Sequence, residues 1–306
     1  MPKRAAVQLV VVMLLWAGCF PLIALGLDSA PHLAFAFMRA ALAGVCLLGL
    51  GALLGRPLPS DLRTWALLLL VGLGTTALGF LGMFHAAEFV APGIATVIAN
   101  AQPLLAAILA HIFLAEKLGR KGVLGLFLGF AGIVAIAWPG MLASTSKDYA
   151  LGVAYIGLAA AGVAIGYVVM KHIAGEVDAI MAMGVQLLLG GVPLAIMSLS
   201  TEDLSTIDWS WQFVTSLVLL AVFVTALAFW LWFVALQEVT LSHANAFTFL
   251  VPLFGLAIGA IFFDERLGWS SLVGSALVVI GIVFVQQNDR GRSSKILTAR
   301  GKPSRA

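Results

Sequence analysis

Ten runs of roughly 20 apolar residues dominate this sequence, and their length is the constraint from which the rest follows. At about 1.5 Å of rise per residue, ~20 helical residues match the ~30 Å hydrocarbon core of a bilayer. The runs lie near 7–25, 31–54, 64–84, 92–114 and 121–138, then near 151–171, 179–199, 212–236, 243–263 and 269–286. Each gap carries breakers or charges, such as Gly55-Arg56-Pro57 and Glu116-Lys117. Lipid cannot hydrogen-bond an open backbone group, so each run is expected to be a helix. The composition agrees. Of 306 residues, 62% are hydrophobic and 10% charged, with a mean hydropathy of +1.08. A soluble domain carries about 25% charged residues. The run after Lys3 and Arg4 is long for the apolar core of a signal peptide, so it is read as a span. Cys19 and Cys46 lie inside apolar runs, in no disulfide framework and no metal-ligand spacing.

Basic residues then orient the spans. With ten spans, one side receives Lys3, Arg4, Arg56, Arg63, Lys117, Arg120, Lys121 and Lys171. It also receives the tail residues Arg290, Arg292, Lys295, Arg300, Lys302 and Arg305. The other side receives only Lys147 and Arg266. Both termini are therefore expected in the cytoplasm of a cell whose plasma or inner membrane holds the chain. The pI near 9.0 reflects this loop charge and not a nucleic-acid face.

The chain also matches itself at an offset of 149 residues. Pro103 meets Pro252, Glu116 meets Glu265, and Leu118-Gly119 meets Leu267-Gly268. Gly125 meets Gly274, and Gly132-Ile133-Val134 meets Gly281-Ile282-Val283. Upstream, Gly18 and Gly162 suggest an offset of 144, the longer loop around 201–209 absorbing the difference. Each unit holds five spans, an odd number, so the second copy is expected inverted. The expected units are 7–138 and 150–286, followed by a basic cytoplasmic tail at 287–306. Inverted repeats with mid-span prolines mark secondary transporters, whose sites lie near the midplane between the halves.

Residues Ala95, Pro103 and Glu116-Lys117-Leu118, followed by a Gly-rich span, resemble the EamA family of the drug/metabolite transporter superfamily. So do the second copy around Pro252 and Glu265, Trp16-Ala17-Gly18, and Phe37-Met38-Arg39. The resemblance runs over about 7–286. It implies an all-α membrane protein of ten helices, two inverted five-helix repeats around a central cavity of alternating access. It further implies export of amino acids or related small metabolites, with drugs or other apolar solutes as the alternative.

Within this frame the candidate residues separate into two groups. The first would line a cavity. Asn100 and Gln102 flank Pro103, and amides in lipid are costly unless paired. Thr96 and Asn100 on the fourth span match Asn245 and Phe249 on the ninth, and these two faces are the expected cavity wall. Trp16, Phe84, Tyr155 and Tyr167 suit an apolar or aromatic solute. Of the run Phe229-Trp230-Leu231-Trp232-Phe233, only one or two rings can face it. The second group is structural or gating. Pro103 and Pro252 leave the carbonyls of Ala99 and Thr248 without their helical partner. Small residues around these prolines (Ala95, Ala99, Ala106 and Ala110 against Ala244, Thr248, Gly255 and Gly259) suggest that the fourth and ninth helices cross closely. Glu116 and Glu265 sit at helix C-termini, unfavourable for a carboxylate. Lys117, Arg266 or the N–H groups of the next helix are their expected partners. Arg39, inside the second span, is either a structural or gating residue or a ligand for a substrate carboxylate. His85 with Glu88 reads as a proton relay, a metal site or an interfacial pair.

An intramembrane enzyme needs a nucleophile–base pair or clustered metal ligands within spans. Neither pattern is present in the sequence, and neither is a channel's ring of like groups or a phosphate-binding loop. The expectation is a non-enzymatic transporter with no metal and no cofactor. Its partners would be a small-molecule solute and the lipid bilayer, with no nucleic acid, the chain acting as a monomer or weak homodimer.

Overall fold

In a computed structural model that describes residues 1–86, 99, 102–117, 119–142, 149–262 and 268–300, the chain folds into helices packed side by side. The first apolar run is broken at Gly18 into α1 (Lys3–Ala17) and α2 (Cys19–Leu27). α3 spans His32–Leu53. α4 (Leu62–Val71) passes through a π-helical stretch, Gly72–Leu78, into α5 (Gly79–Ala86). α6 (Gln102–Phe113), α7 (Arg120–Leu142), α8 (Tyr149–Ile173) and α9 (Ala179–Thr201) follow. α10 (Trp211–Leu219) passes through a second π stretch, Leu220–Leu227, into α11 (Ala228–Glu238). α12 (Leu241–Ala246), a 3-10 turn at Phe247–Phe249 and α13 (Leu250–Phe262) form one broken run, and α14 covers Trp269–Arg300. The two π stretches end at Leu78 and Leu227, positions 149 apart.

Among the described residues, six helical segments are long and apolar enough to cross a membrane: Lys3–Leu27, His32–Leu53, Leu62–His85, Leu151–Ile173, Ala179–Thr201 and Trp211–Glu238. Large apolar side chains cover the outside. Val7, Leu14, Ile108, Ile112 and Ile196 are each more than half exposed. Polar groups sit inside instead: Arg39, Gln102, Gln186, Thr225 and Asn245 are all buried. A protein with an apolar exterior and a polar interior is built for lipid.

Small residues hold the bundle together. A Cβ added at Gly132 would meet the Gly274 carbonyl oxygen at 2.6 Å, and one at Gly125 the Gly281 oxygen at 2.6 Å. Residue numbers rise along α7 as they fall along α14, so the two helices are antiparallel. The 149-residue offset turns Gly125 into Gly274 and Gly281 into Gly132. One close contact therefore becomes the other. α3 and α9 are antiparallel in the same way, Gly44 lying against Leu188 and Gly51 against Met181. α5 and α8 do likewise, Gly82 lying against Ala159. Without a hydrophobic drive between helices in lipid, such close backbone approach supplies the packing energy.

Contacts between helix ends fall into two sets. In one, Arg56 reaches Asp178 at 3.8 Å, Lys171 Nζ donates to the Leu236 carbonyl, and Glu116 accepts from the start of α12. In the other, Glu202 accepts from the start of α3, the Asp208 N–H donates to the Ser29 carbonyl, and His32 meets His85.

Gly132→Leu forces a side chain against the α14 backbone and is expected to cost about 1–3 kcal/mol. Gly49→Leu, where nothing lies within 4 Å among the described residues, is expected to cost far less. Thermal inactivation of the two variants in detergent, followed by size-exclusion chromatography, checks the difference.

Candidate functional site

A cavity of about 200 Å³ lies between the two halves of the chain. The first half contributes Trp16, Cys19, Arg39, Thr75, Phe80, Met83, Ala99 and Gln102, and the second Ala159, Val163, Tyr167, Phe229, Thr248 and Val251. Three rings form one wall. Trp16 stacks on Tyr167 at 6.4 Å and 7°, and meets Phe229 edge-on at 6.2 Å. Trp232 backs them from outside the cavity, 4.8 Å from Tyr167.

The opposite chemistry comes from α3 and α6. Arg39 is only 3% exposed. Its Nε donates to Thr225 Oγ1 at 2.8 Å, and its guanidinium carbon lies 4.3 Å from the centroid of the Phe80 ring. Thr225 Oγ1 in turn donates to the Leu220 carbonyl at 2.8 Å. That carbonyl is five residues back, the spacing of a π-helix. At the equivalent position in the first π stretch, Thr76 Oγ1 donates to Gln186 Oε1 of α9 at 3.0 Å. Each π stretch thus receives a polar side chain from a helix of the other half. Arg39 Nη1 and Gln102 Nε2 are buried and have no hydrogen-bond partner among the described residues.

The sequence-derived candidates are distributed unevenly. Trp16, Arg39, Gln102 and Tyr167 border the cavity. Phe84 instead packs edge-on against Phe35 at 5.7 Å, in an apolar cluster. Thr96, Asn100 and Glu88 lie outside the described residues, as does Glu265. Asn245 and Phe249 are fully buried and lie outside the cavity lining. The Phe249 ring sits on Gly129 of α7. Thr248 and Val251 line the cavity in their place. The reason is the 3-10 turn at Phe247–Phe249, which takes about 3.0 residues per turn and rotates the face away from a 3.6-residue stripe. Pro103 and Pro252 are buried away from the cavity lining, yet Ala99 and Thr248, each four residues before one of them, both line it. The expected close approach of the fourth and ninth helices is met where α6 packs against α12, with Ala110 and Ala244 in one buried cluster, but not at Gly255, which has nothing within 4 Å among the described residues. Among the described residues, close glycine contacts join α7 to α14, α3 to α9, α5 to α8, and the first π stretch to α8 and α9 at Gly74–Gly162 and Gly72–Gly190.

Glu116 has a different partner from those expected. Its carboxylate accepts from the N–H groups of Leu241 and Ser242, at 2.7 and 3.0 Å, and from Ser242 Oγ at 2.8 Å. The first half thereby caps a helix of the second. Glu202 performs the same service in reverse. It accepts from the N–H groups of Leu33 and Ala34, both at 2.8 Å, and from Ser198 Oγ at 2.8 Å. His32 Nδ1 lies 3.3 Å from Glu202 Oε1, and His32 Nε2 lies 2.8 Å from His85 Nδ1. The His85 ring meets Tyr155 edge-on at 4.8 Å. His85 therefore belongs to a chain running from Glu202 through His32. Glu202 was not a candidate from sequence because it follows Thr201 and precedes Asp203, as an ordinary loop acid would.

The EamA-like transporter family matches residues 3–138 and 150–286. A transporter of Bacillus subtilis, strain 168, YvbV, is 30% identical over 298 residues, which are 96% of this chain and 95% of that protein. A WAT1-related chloroplastic protein of Arabidopsis thaliana is 30% identical, over 79% of this chain and 60% of its own length. A probable terminal-alkyne amino-acid exporter of Streptantibioticus cattleyicolor is 26% identical over 97% of this chain and 98% of that protein. One solved crystal structure has the same fold at a TM-score of 0.81, with 17% identity, covering 95% of this chain and 99% of that one.

Glu116→Ala strips three donors of one acceptor and is expected to cost about 1–3 kcal/mol of stability. Urea titration in micelles, followed by tryptophan fluorescence, measures it. Glu116→Asp, keeping the charge on a shorter stem, is expected to recover only part of the loss.

Proposed function

Because this chain belongs to the EamA-like transporter family, we propose that it is a secondary transporter that exports amino acids or related small metabolites by alternating access. The observation that carries this reading is the cavity wall. Ala99 and Thr248, 149 residues apart, both border the same space from opposite halves. Each lies four residues before a proline, Pro103 in the first half and Pro252 in the second. A site shared by equivalent parts of two repeats is the arrangement that rocking halves require.

The architecture is ten helices in two inverted five-helix units, 7–138 and 150–286. The exchange of the Gly125–Gly281 and Gly132–Gly274 contacts under the offset supports it, since equivalent helices α7 and α14 run antiparallel. The two sets of helix-end contacts match the cytoplasmic and opposite sides given by the basic residues, which supports cytoplasmic termini. The described lining comes from both halves of one chain, and this favours a monomer as the transporting unit. Glu116 and Glu202, each capping a helix of the other half, are positioned as latches on the two sides. The named exporter of terminal-alkyne amino acids supports the amino-acid class. The aromatic wall favours the second reading, export of apolar drug-like solutes, but a buried guanidinium is out of place in a purely apolar site.

Proteoliposomes preloaded with single amino acids or small organic acids, then given the labelled solute outside, are expected to accumulate label by counterflow for at least one class. No counterflow for any of them sinks the transporter reading. Ala99→Trp fills the cavity and is expected to lower that counterflow at least tenfold, with the protein still eluting as a folded species. Wild-type flux in this variant would place the solute path elsewhere.

A further inference from the structure

Arg39 carries a positive charge at any physiological pH. Its neighbours Thr225 and Phe80 are neutral, and no described carboxylate touches it. A buried charge without a counter-charge is unfavourable unless something supplies one. Nη1 of Arg39 and Nε2 of Gln102 are both N–H donors, both buried, both without a partner among the described residues, and both on residues bordering one cavity. Two such donors call for an oxygen acceptor, and a carboxylate offers two oxygens with charge. The described lining contains no Asp or Glu, so an ammonium group finds no counter-charge there. A zwitterion would leave the site at net +1, whereas a monoanion brings it to zero. The remaining wall is aromatic and aliphatic. At about 200 Å³ the space is smaller than the ~300–1,000 Å³ of ordinary ligand pockets.

We propose that the cavity binds a small organic monoanion, a carboxylate on an apolar or aromatic body, with the carboxylate on Arg39 and Gln102. This rests on the transporter reading and narrows its range of solutes: the ammonium group of an amino acid is not needed. Arg39 then acts on substrate as well as holding α3 to the second π stretch.

The test is isothermal titration of the purified full-length protein in detergent with four probes of similar size. These are 3-phenylpropanoate, phenylalanine, 2-phenylethylamine and 3-phenylpropan-1-ol. The monoanion is expected to bind at least tenfold more tightly than phenylalanine, with the amine and the alcohol weaker still. Gln102→Leu, which keeps the volume, is expected to weaken 3-phenylpropanoate roughly tenfold or more. Arg39→Lys, which keeps the charge but loses the planar fork, is expected to weaken it as well. Phenylalanine or the alcohol binding as tightly as the monoanion overturns the proposal. So does unchanged binding in folded Gln102→Leu protein, or no binding by any probe. Counterflow separates this from the wider reading. If the monoanion binds but nothing crosses, the transporter reading fails and the anion site stands. If zwitterions or neutral solutes cross without any preference for carboxylates, transport stands and the anion site falls.

Discussion

Lipid supplies no hydrogen bonds, so every backbone group that leaves the helical ladder must be answered from within the chain. The polar side chains of this protein sit where such groups arise. Glu116 answers the open N–H groups at the start of α12, and Glu202 those at the start of α3. Thr225 takes up the Leu220 carbonyl inside a π stretch, and Thr248 donates to the Asn245 carbonyl at 2.7 Å in the 3-10 turn before Pro252. In the last two cases the answer also ties or shapes the site. Thr225 receives Arg39, and Thr248 lines the cavity. The breaks in the helices and the functional architecture are thus one design, because a broken helix in lipid is tolerable only next to protein or a cavity.

Cross-half bonding gives these answers a mechanical meaning. Glu116 belongs to the connection after α6 and caps α12; Glu202 follows α9 and caps α3. Neither bond is internal to one repeat. The rocking motion proposed above would have to stretch or release them, whereas α7 and α14 meet through glycine backbones with no such bond between them among the described residues. The contacts between helix faces and those between helix ends are therefore built from different chemistry, dispersion for one and charge-assisted hydrogen bonds for the other.

Much of the fold was legible because the membrane restricts the choices. The positions of the six spanning segments among the described residues followed from run length, and the offset of 149 residues has a physical counterpart in the two π stretches and the paired glycines. The site was legible only in part. Trp16, Arg39, Gln102 and Tyr167 stood out as aromatic or polar residues in apolar runs, and they border the cavity. Asn245 and Phe249 were placed by helical periodicity, and periodicity fails where the winding changes from 3.6 to 3 residues per turn. Thr75, Phe80, Met83 and Val163 carry no signal of their own, since a phenylalanine or valine in a span faces lipid as often as a cavity. Glu202 was invisible for the opposite reason, as one loop acid among several.

Hydropathy, the positions of Lys and Arg, and the internal match are one-dimensional properties. They determined by themselves that the chain is a helical membrane protein with an internal sequence match, because an unsatisfied backbone group in lipid costs several kcal/mol and runs of ~20 apolar residues suit helices rather than barrel strands. Which side chains meet is a three-dimensional property, set by winding and by close packing between distant segments. Only the tertiary structure brought Arg39 to Thr225, 186 residues away. Only it placed Arg39 and Gln102 at the border of one cavity, each with a buried N–H donor that has no partner among the described residues.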